Sequence, residues 1–474
     1  MAQAATALAP IHVKASESVT SLPASTSEIL SSWTAPEIPK TIKASFAAWL
    51  SQKDGGANAE LHLYRRSGYF SGATLNNARN ADLYTAFQEV SRKSLASSFS
   101  SSSSSSSHLD PHLRATIGTH LNPDGKIGSI RAVDIGNPVH NSWFSAPTPR
   151  LINMLEIGKP VATPDPKEEK IVLLHGYGAG TAFFFQNIAN MAGRSNSRLF
   201  CLDWLGMGRS SRVPFHIPHE KMKTTESRVE AAESFFVQAL EDWREKAGLE
   251  KMTLVAHSLG GYLSVAYSLK YPERVSRLVL VSPAGIPLGP EDDTLFKQKD
   301  NGKGEPPRMG TKTRTVLTWL WERNTSPFGL IRGSLFFGPL LVGRYTSRRF
   351  GTLPEEELKS LHNYCQSIFS ARGSSEYCLA HLLAPGAYAR SPMVNRVACL
   401  PATLPVSFLY GSQDWMDVQG GRESVKRLRE AGNRLGSTFV IPSAGHNIHV
   451  DNPLAFDALL TRILDGDVDG KSNT

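Results

Sequence analysis

Leu254-Val255-Ala256-His257-Ser258-Leu259-Gly260-Gly261-Tyr262 is the stretch on which the fold turns. Met252 to Ala256 is a short apolar run of strand type, and a helical stretch follows the glycines, so Ser258 stands where a strand turns into a helix. A turn that tight admits only small residues two before and two after the serine, which is the physical content of a G-x-S-x-G pattern. Here the first small residue is Ala256, which adds one methyl at the crowded position, and the second is Gly260. A small-x-Ser-x-Gly segment alone is an ordinary loop. Between an apolar strand and a helix it reads as a nucleophile elbow.

The flanking sequence agrees with that reading. Leu151 to Ile157 alternates like a strand, and Lys170 to Leu174, Arg198 to Asp203 and Arg277 to Ser282 are apolar on both faces. Helical stretches separate them, the pattern of parallel strands buried between helix layers. Val229, Phe236, Leu240 and Trp243 recur at helical spacing with Glu230, Glu233, Glu241 and Arg244 on other faces, so that helix needs a sheet to cover. After Ser282 the alternation breaks, and it resumes with Leu404 to Tyr410, Ser437 to Ile441 and a last helix from Pro453 to Leu464. The expected fold is therefore α/β, a doubly wound and mostly parallel sheet with an inserted lid. Its expected divisions are an N-terminal extension (1–129), a first core segment (130–283), the lid (284–390), a second core segment (391–465) and a flexible tail (466–474). The extension is rich in Ser, Thr, Ala and Pro apart from a patch at Phe46, Trp49 and Leu50; it is expected to be largely flexible, with a helical look from Ala78 to Leu95 and a serine tract ending at Ser107.

A serine hydroxyl is a poor nucleophile at neutral pH and needs a base within hydrogen-bond reach and a third group to orient that base. Ser443-Ala444-Gly445-His446 follows the last expected strand and supplies the base, His446; His449, one turn on, reads as a supporting or surface residue. For the acid, Tyr410-Gly411-Ser412-Gln413-Asp414 follows the preceding strand, and Asp414 is taken first; Asp417 is kept beside it. Either aspartate could instead be a turn or helix-cap residue. The developing oxyanion needs fixed backbone donors. The amide of Leu259 is assigned as one, and the amide of Tyr177, in the loop His175-Gly176-Tyr177-Gly178-Ala179-Gly180, as the other. That loop lacks both G-x-G-x-x-G and a P-loop lysine, so it is not read as a phosphate cradle. The turn Asp203-Trp204-Leu205-Gly206-Met207-Gly208-Arg209-Ser210 is expected to shape the pocket wall.

Bulk properties narrow the partners. The 474 residues are 41% hydrophobic and 20% charged, an ordinary globular composition. A net charge of +8 suits an anionic surface, and no nucleic-acid-binding signature accompanies it, so nucleic acid is not expected as a partner. Cys201, Cys365, Cys378 and Cys399 lie far apart with no C-x-x-C pair, which speaks for reduced thiols in an intracellular protein rather than metal ligands or staples. No apolar run is long enough to span a bilayer, so contact with an anionic membrane is expected to be peripheral. Its expected site is the lid, where Trp319, Trp321, Phe328, Leu335, Phe336, Phe337, Leu340 and Leu341 gather beside Arg344, Arg348 and Arg349, although those residues could simply cover the active-site cleft. The first sixteen residues carry no acid and hint at a transit peptide, but the first arginine is Arg65; a mitochondrial place is put narrowly ahead of cytosol or lipid droplet.

The segments HGYGAG (175–180), DWLGMGRS (203–210), AHSLGGYL (256–263), YGSQDWMD (410–417) and GHNIHVDNP (445–453) together resemble the α/β-hydrolase fold superfamily. Lid segments 319–324, 326–328, 345–350 and 384–390 resemble its lipid-acting branch, which includes the yeast cardiolipin-specific deacylase, the N-acyl-phosphatidylethanolamine lipase and the comparative-gene-identification lipid-droplet coactivator. The likeness covers about residues 130 to 465. It implies a serine hydrolase cleaving acyl esters of phospholipids or lysophospholipids through an acyl-enzyme on Ser258, with cardiolipin the first choice and no metal or nucleotide cofactor. It also brings two alternatives. His446 and Asp451 form an H-x4-D arrangement proposed in this branch as an acyltransferase motif, which would make the chain a CoA-dependent lysophospholipid acyltransferase. The bland account is that Asp451 or Asn452 caps the helix starting at Pro453. The other alternative is a noncatalytic membrane or lipid-droplet recruitment protein; the coactivator lacks the nucleophile, whereas this chain has Ser258. Some members carry the acid at the position matching Asp417.

Overall fold

The computed structural model describes residues 33–51, 55–70, 74–75, 116–117, 122–139, 147–159, 165, 167–287, 318–385 and 388–472. The strands are β1 (Thr74–Leu75), β2 (Thr116–Ile117), β3 (Ile127–Asp134), β4 (Leu151–Gly158), β5 (Glu169–Leu174), β6 (Ser197–Leu202), β7 (Met252–His257), β8 (Val275–Val281), β9 (Val406–Gly411) and β10 (Gly436–Ile441). The helices of ten residues or more are α1 (Ile42–Ser51), α2 (Gly56–Arg65), α3 (Thr225–Lys246), α4 (Leu259–Lys270), α5 (Gly338–Arg349), α6 (Glu355–Ser370), α7 (Val418–Glu430) and α8 (Pro453–Leu464). The architecture is a mostly parallel, doubly wound α/β one with a helical insertion between β8 and β9. Every strand expected from the sequence is present, its ends shifted by one or two residues.

The chain divides into two compact units. The first comprises Met1–Pro214, Ala239–Thr253 and Ile331–Arg372. Its strands run in the order β1-β2-β3-β4-β6-β5, with β3, β4 and β6 paired antiparallel and β5 parallel to β6. The C-terminal part of α3 covers this sheet: Trp243 is fully buried, edge-on to Phe200 at 5.5 Å, with its indole N–H toward the Met154 sulfur at 3.3 Å.

Part of the extension expected to be flexible belongs to this core. In α2 Ala59, Leu61, Leu63 and Tyr64 are buried, the Tyr64 hydroxyl donates to Thr181 at 2.6 Å, and His62 meets the Ser360 hydroxyl of α6 at 2.8 Å. The correction has a physical reason: α2 is short and surrounded by Ala, Gly and Ser, so its apolar face is too brief to stand out as a periodic signal. The serine tract, the Ala78 to Leu95 stretch and residues 288–317 of the lid lie outside the described residues. A polar knot fixes the turn after β6. The Asp203 carboxylate accepts from Asn153 Nδ2 at 2.8 Å and from the Thr181 and Arg209 amides at 2.7 Å each. Gly208 has φ +52, and a Cβ there would stand 2.3 Å from Asp203 Cγ, so this position of the turn admits only glycine. Glu60, buried on α2, accepts from Asn153 Nδ2 and Thr181 Oγ1 at 3.1 Å each and faces Arg209 at 3.4 Å.

The second unit comprises Phe215–Gln238, Leu254–Leu330 and Gly373–Thr474. Here β7, β8, β9 and β10 lie side by side in that order, with β8, β9 and β10 parallel. Both faces of β7 and β9 are buried, which explains their unbroken apolar sequence. The buried Glu233 of α3 accepts both guanidinium nitrogens of Arg396, at 2.6 and 3.0 Å, and the Tyr262 hydroxyl of α4 at 2.6 Å. The end of the chain, expected as a flexible tail, is tied down over residues 466–472. Asp469 pairs with Arg277 of β8, Ser472 accepts from the Thr438 amide of β10 at 3.0 Å, and Val468 is buried. These anchors are single residues, too sparse for a sequence pattern to betray.

The Glu60 carboxyl is pushed up to about 7: burial raises it, the Arg209 guanidinium pulls it back, and Asp203 raises it again. A folded-state value above the unfolded one means the native protein holds the proton more tightly. The associated stability is therefore complete below the unfolded value of 4.5 and is lost as pH rises toward about 7. Urea unfolding of the wild type should show that loss between acid and neutral pH, and Glu60→Gln, which cannot ionise, should show a shallower dependence over the same window. Identical slopes would refute the assignment.

Candidate active site

Ser258 joins β7 to α4 with φ 53° and ψ −120°, a left-handed conformation that costs a non-glycine residue free energy unless its surroundings enforce it. Three backbone hydrogen bonds enforce it. The Ser258 amide donates to the Val281 carbonyl at the end of β8 at 2.9 Å, and its own carbonyl accepts from Tyr262 at 3.2 Å and Ala284 at 3.1 Å. Ala256 is fully buried, so the extra methyl of the elbow is accommodated. Gly261, outside the small-x-Ser-x-Gly pattern, is constrained as well: a Cβ there would stand 3.0 Å from Pro283 and 3.3 Å from the Ala256 carbonyl. Leu259 opens α4, which puts its amide among the first-turn donors that have no intrahelical acceptor.

His446 lies between β10 and α8, after a left-handed turn at Ser443 (φ 54°). Its loop is stitched to the one after β9: the Ser412 amide donates to the Ile441 carbonyl at 2.8 Å and the Gln413 amide to the Ala444 carbonyl at 2.9 Å. Gly411 permits that approach, since a Cβ there would fall 2.2 Å from the Ala444 carbonyl oxygen. The result is one line of polar contacts. His446 Nε2 is 3.0 Å from Ser258 Oγ, and His446 Nδ1 is 3.2 Å from Asp414 Oδ1. A carboxylate only accepts, so Nδ1 carries the proton and Nε2 presents its lone pair to the serine hydroxyl. The Asp414 side chain is 1% exposed and also accepts from the Met416 amide at 3.0 Å. Burial raises its pKa, but the His446 hydrogen bond and charge, the Met416 amide and the Ser282 hydroxyl outweigh burial and hold the carboxyl below its ordinary value.

Of the two acids kept open by the sequence, Asp414 is on this line and Asp417 is not. Asp417 is exposed and caps α7, its carboxylate accepting from the Gln419 amide at 2.8 Å. His449 is buried rather than on the surface; its ring lies 4.8 Å from His257 and 6.2 Å from Phe456. The helix at Pro453 is capped by Asn452, which accepts from the Ala455 amide at 3.2 Å. Asp451 instead accepts from the Gly445 amide at 2.9 Å. His257, next to the serine and not singled out by sequence, donates from Nε2 to the His446 carbonyl at 2.9 Å. The histidine loop is thus held on both sides, by Asp451 at the amide of the preceding residue and by His257 at the carbonyl of the histidine itself. Trp415 is 59% exposed, with its ring centroid 5.1 Å from that of His446.

Tyr177, the other expected oxyanion donor, belongs to the first unit and sits in the loop after β5. His175 anchors that loop: its Nδ1 meets the Gly176 carbonyl at 2.8 Å, its Nε2 accepts from the Trp204 amide at 3.1 Å, and its carbonyl accepts from the Trp204 indole at 2.9 Å. Burial lowers the His175 pKa against the pull of Asp203, the direction that suits an Nε2 accepting from the Trp204 amide. Gly178 has φ +66, and a Cβ on Gly180 would lie 2.0 Å from the Tyr364 hydroxyl. Among the described residues no group of three or more His, Cys, Asp or Glu is placed to hold a metal ion.

The family model described as alpha/beta hydrolase fold matches residues 170–453. Among curated proteins, the chain is 34% identical over 337 residues to a probable 1-acylglycerol-3-phosphate O-acyltransferase of Oryza sativa subsp. japonica, covering 68% of this chain and 74% of that one. It is 36% identical over 294 residues to a 1-acylglycerol-3-phosphate O-acyltransferase of Arabidopsis thaliana, covering 60% and 64%. It is 31% identical over 317 residues to a (lyso)-N-acylphosphatidylethanolamine lipase of Mus musculus, covering 66% and 84%.

The capping role of Asp417 makes a distinction that thermal or urea unfolding can check. Asp417→Ala should cost about 1 kcal/mol through the lost cap, while Asp417→Asn, which still caps, should cost only a few tenths of that. Equal losses in the two variants would mean that the aspartate acts through its charge.

Proposed function

The chain belongs to the alpha/beta hydrolase fold family, and on that premise we propose that it is a serine hydrolase cleaving acyl esters of phospholipids or lysophospholipids through an acyl-enzyme on Ser258. The observation that carries this reading is the line from Ser258 Oγ through His446 to the buried Asp414. Ser258 attacks the ester carbonyl while His446 Nε2 takes its proton; Asp414 stabilises the imidazolium that forms, and the Leu259 amide faces the developing oxyanion. His446 then returns the proton to the leaving lysolipid oxygen. A water molecule, deprotonated by the same nitrogen, releases the fatty acid and restores Ser258. Cardiolipin is the head group the sequence resemblance puts first.

A second reading, transfer of the acyl chain to a lysophospholipid, has the names of the rice and Arabidopsis relatives in its favour. The same acyl-enzyme serves both outcomes, because either water or a lipid hydroxyl can accept the chain. What weighs against a separate acyltransferase acid is the position of Asp451. Its carboxylate is engaged with the Gly445 amide, next to the histidine it would be asked to assist. It therefore acts on His446 through the backbone.

The expected outcomes are specific. Ser258→Ala should abolish labelling by a fluorophosphonate probe and lower ester turnover by about 10^4 to 10^6-fold with the fold intact. Asp414→Asn should lower turnover by roughly 10^4-fold, since an amide cannot stabilise the imidazolium, whereas Asp417→Asn should change it little. Supplied with labelled phospholipid, lysophospholipid and acyl-CoA together, the protein should release free fatty acid faster than it transfers acyl groups from CoA. Transfer that outpaces release and vanishes in Asp451→Asn while hydrolysis survives would replace this reading with the acyltransferase. Full ester turnover by Ser258→Ala would end both.

A further inference from the structure

An amphipathic surface helix ordinarily turns its apolar stripe inward. In α1 the arrangement is reversed. Ile42, Phe46 and Leu50 follow one another at four-residue steps along one stripe and are 56%, 45% and 60% exposed, while the residue buried beneath them is a serine. Ser45 accepts from the Leu340 amide at 2.9 Å and donates to the Phe336 carbonyl. The helix is thus pinned to the start of α5 by Ser45, with Ile42, Phe46 and Leu50 outward and Trp49 half-buried. Phe46 lies 5.8 Å from Phe336 across that contact, so the exposed stripe continues onto the neighbouring segment.

That segment shows the same inversion. Leu335 is 58% exposed and holds φ +51°, a left-handed conformation unfavourable for a branched aliphatic residue. The side chain held in this conformation is apolar and faces water. Phe337 and Leu341 are exposed beside it, whereas Leu340 is buried. The charge is one-sided: residues 39–51 and 331–350 contain no aspartate or glutamate, and Lys40, Lys43, Arg344 and Arg348 are exposed. Of the other lid residues read from the sequence as a membrane contact, Trp319 is exposed with Arg323 stacked 4.2 Å over its ring, and Trp321 is half-buried with its indole donating to the Leu383 carbonyl at 3.0 Å.

We infer that α1 together with residues 335–345 forms a docking face for an anionic lipid surface. Aliphatic and aromatic side chains enter the acyl boundary while the flanking lysines and arginines meet lipid phosphates. A soluble protein partner would be expected to offer carboxylates in fixed places; an anionic bilayer offers diffuse negative charge over an apolar layer, which is what a stripe edged by unpatterned cations matches. The inference rests on the lipid-ester reading for its biological sense, but none of its observations uses the Ser258 site.

The test is co-sedimentation of the full-length protein with vesicles of phosphatidylcholine alone or mixed with phosphatidylserine, beside turnover of a water-soluble short-chain ester. Binding should require phosphatidylserine and weaken with salt. The triple variant Ile42→Ser/Phe46→Ser/Leu50→Ser should lower vesicle partitioning by more than about tenfold, and Trp319→Ser should leave most of it. Since the three residues are exposed, the melting temperature should hold. Should that variant misfold, Arg344→Gln/Arg348→Gln provides a second test, expected to move half-maximal release to lower salt. Undiminished binding by the triple variant, loss in Trp319→Ser alone, or a wild type that dimerises and ignores vesicles would overturn the inference. A protein that binds as described but leaves the soluble ester intact would instead count against the hydrolase reading.

Discussion

The hydrogen bond from the Ser258 amide to the Val281 carbonyl is the constraint on which the site depends. It ties the tip of one buried strand to the tip of the next and helps to hold Ser258 in a backbone region that serine does not otherwise favour. Strands that were not buried on both faces could not supply that rigidity, because an exposed strand end has water as a competing partner. The apolar runs of β7, β8 and β9 therefore serve the hydroxyl at their ends. Chain regions distant in sequence meet at this edge because successive parallel strands finish there, and the loops after β7, β9 and β10 deliver serine, aspartate and histidine in turn.

The histidine is held by more than its catalytic neighbours. Its two side-chain contacts fix the ring, while His257 holds its carbonyl and Asp451 the amide of the residue before it. Ring and backbone are thereby restrained independently, which matters because a proton acceptor displaced by an ångström loses much of its effect.

The sequence made the core strands, the elbow and the histidine legible because each rests on a local rule: apolar runs, small residues around a serine, a short loop after a strand. It left the choice between Asp414 and Asp417 open, since both follow the same strand and both could cap a turn; only the packing of the loops after β9 and β10 separates them. The same holds for Asp451 and Asn452, adjacent residues of which one caps and the other reaches back to Gly445. Beyond these, what escaped was non-local. Nothing in the composition of Gly56 to Arg65 announces a core helix, because the partners that bury it come from α6 and from the turn after β5. The chain past Leu464 is held by contacts made one residue at a time. The buried residue of α1 is a serine, and an inverted helix defeats the very periodicity by which helices are oriented from sequence.

The contact between His62 and Ser360 joins positions 298 residues apart, and this bears on how the protein is made. At about 5–20 residues per second, roughly 15–60 s separate the appearance of α2 from that of the helix that buries it. Through that interval a short segment carrying a buried glutamate and several apolar side chains leaves the ribosome without its final neighbours. The helix α2 is thus made well before it can be completed, and a chain arrested before α6 would present that apolar face to chaperones.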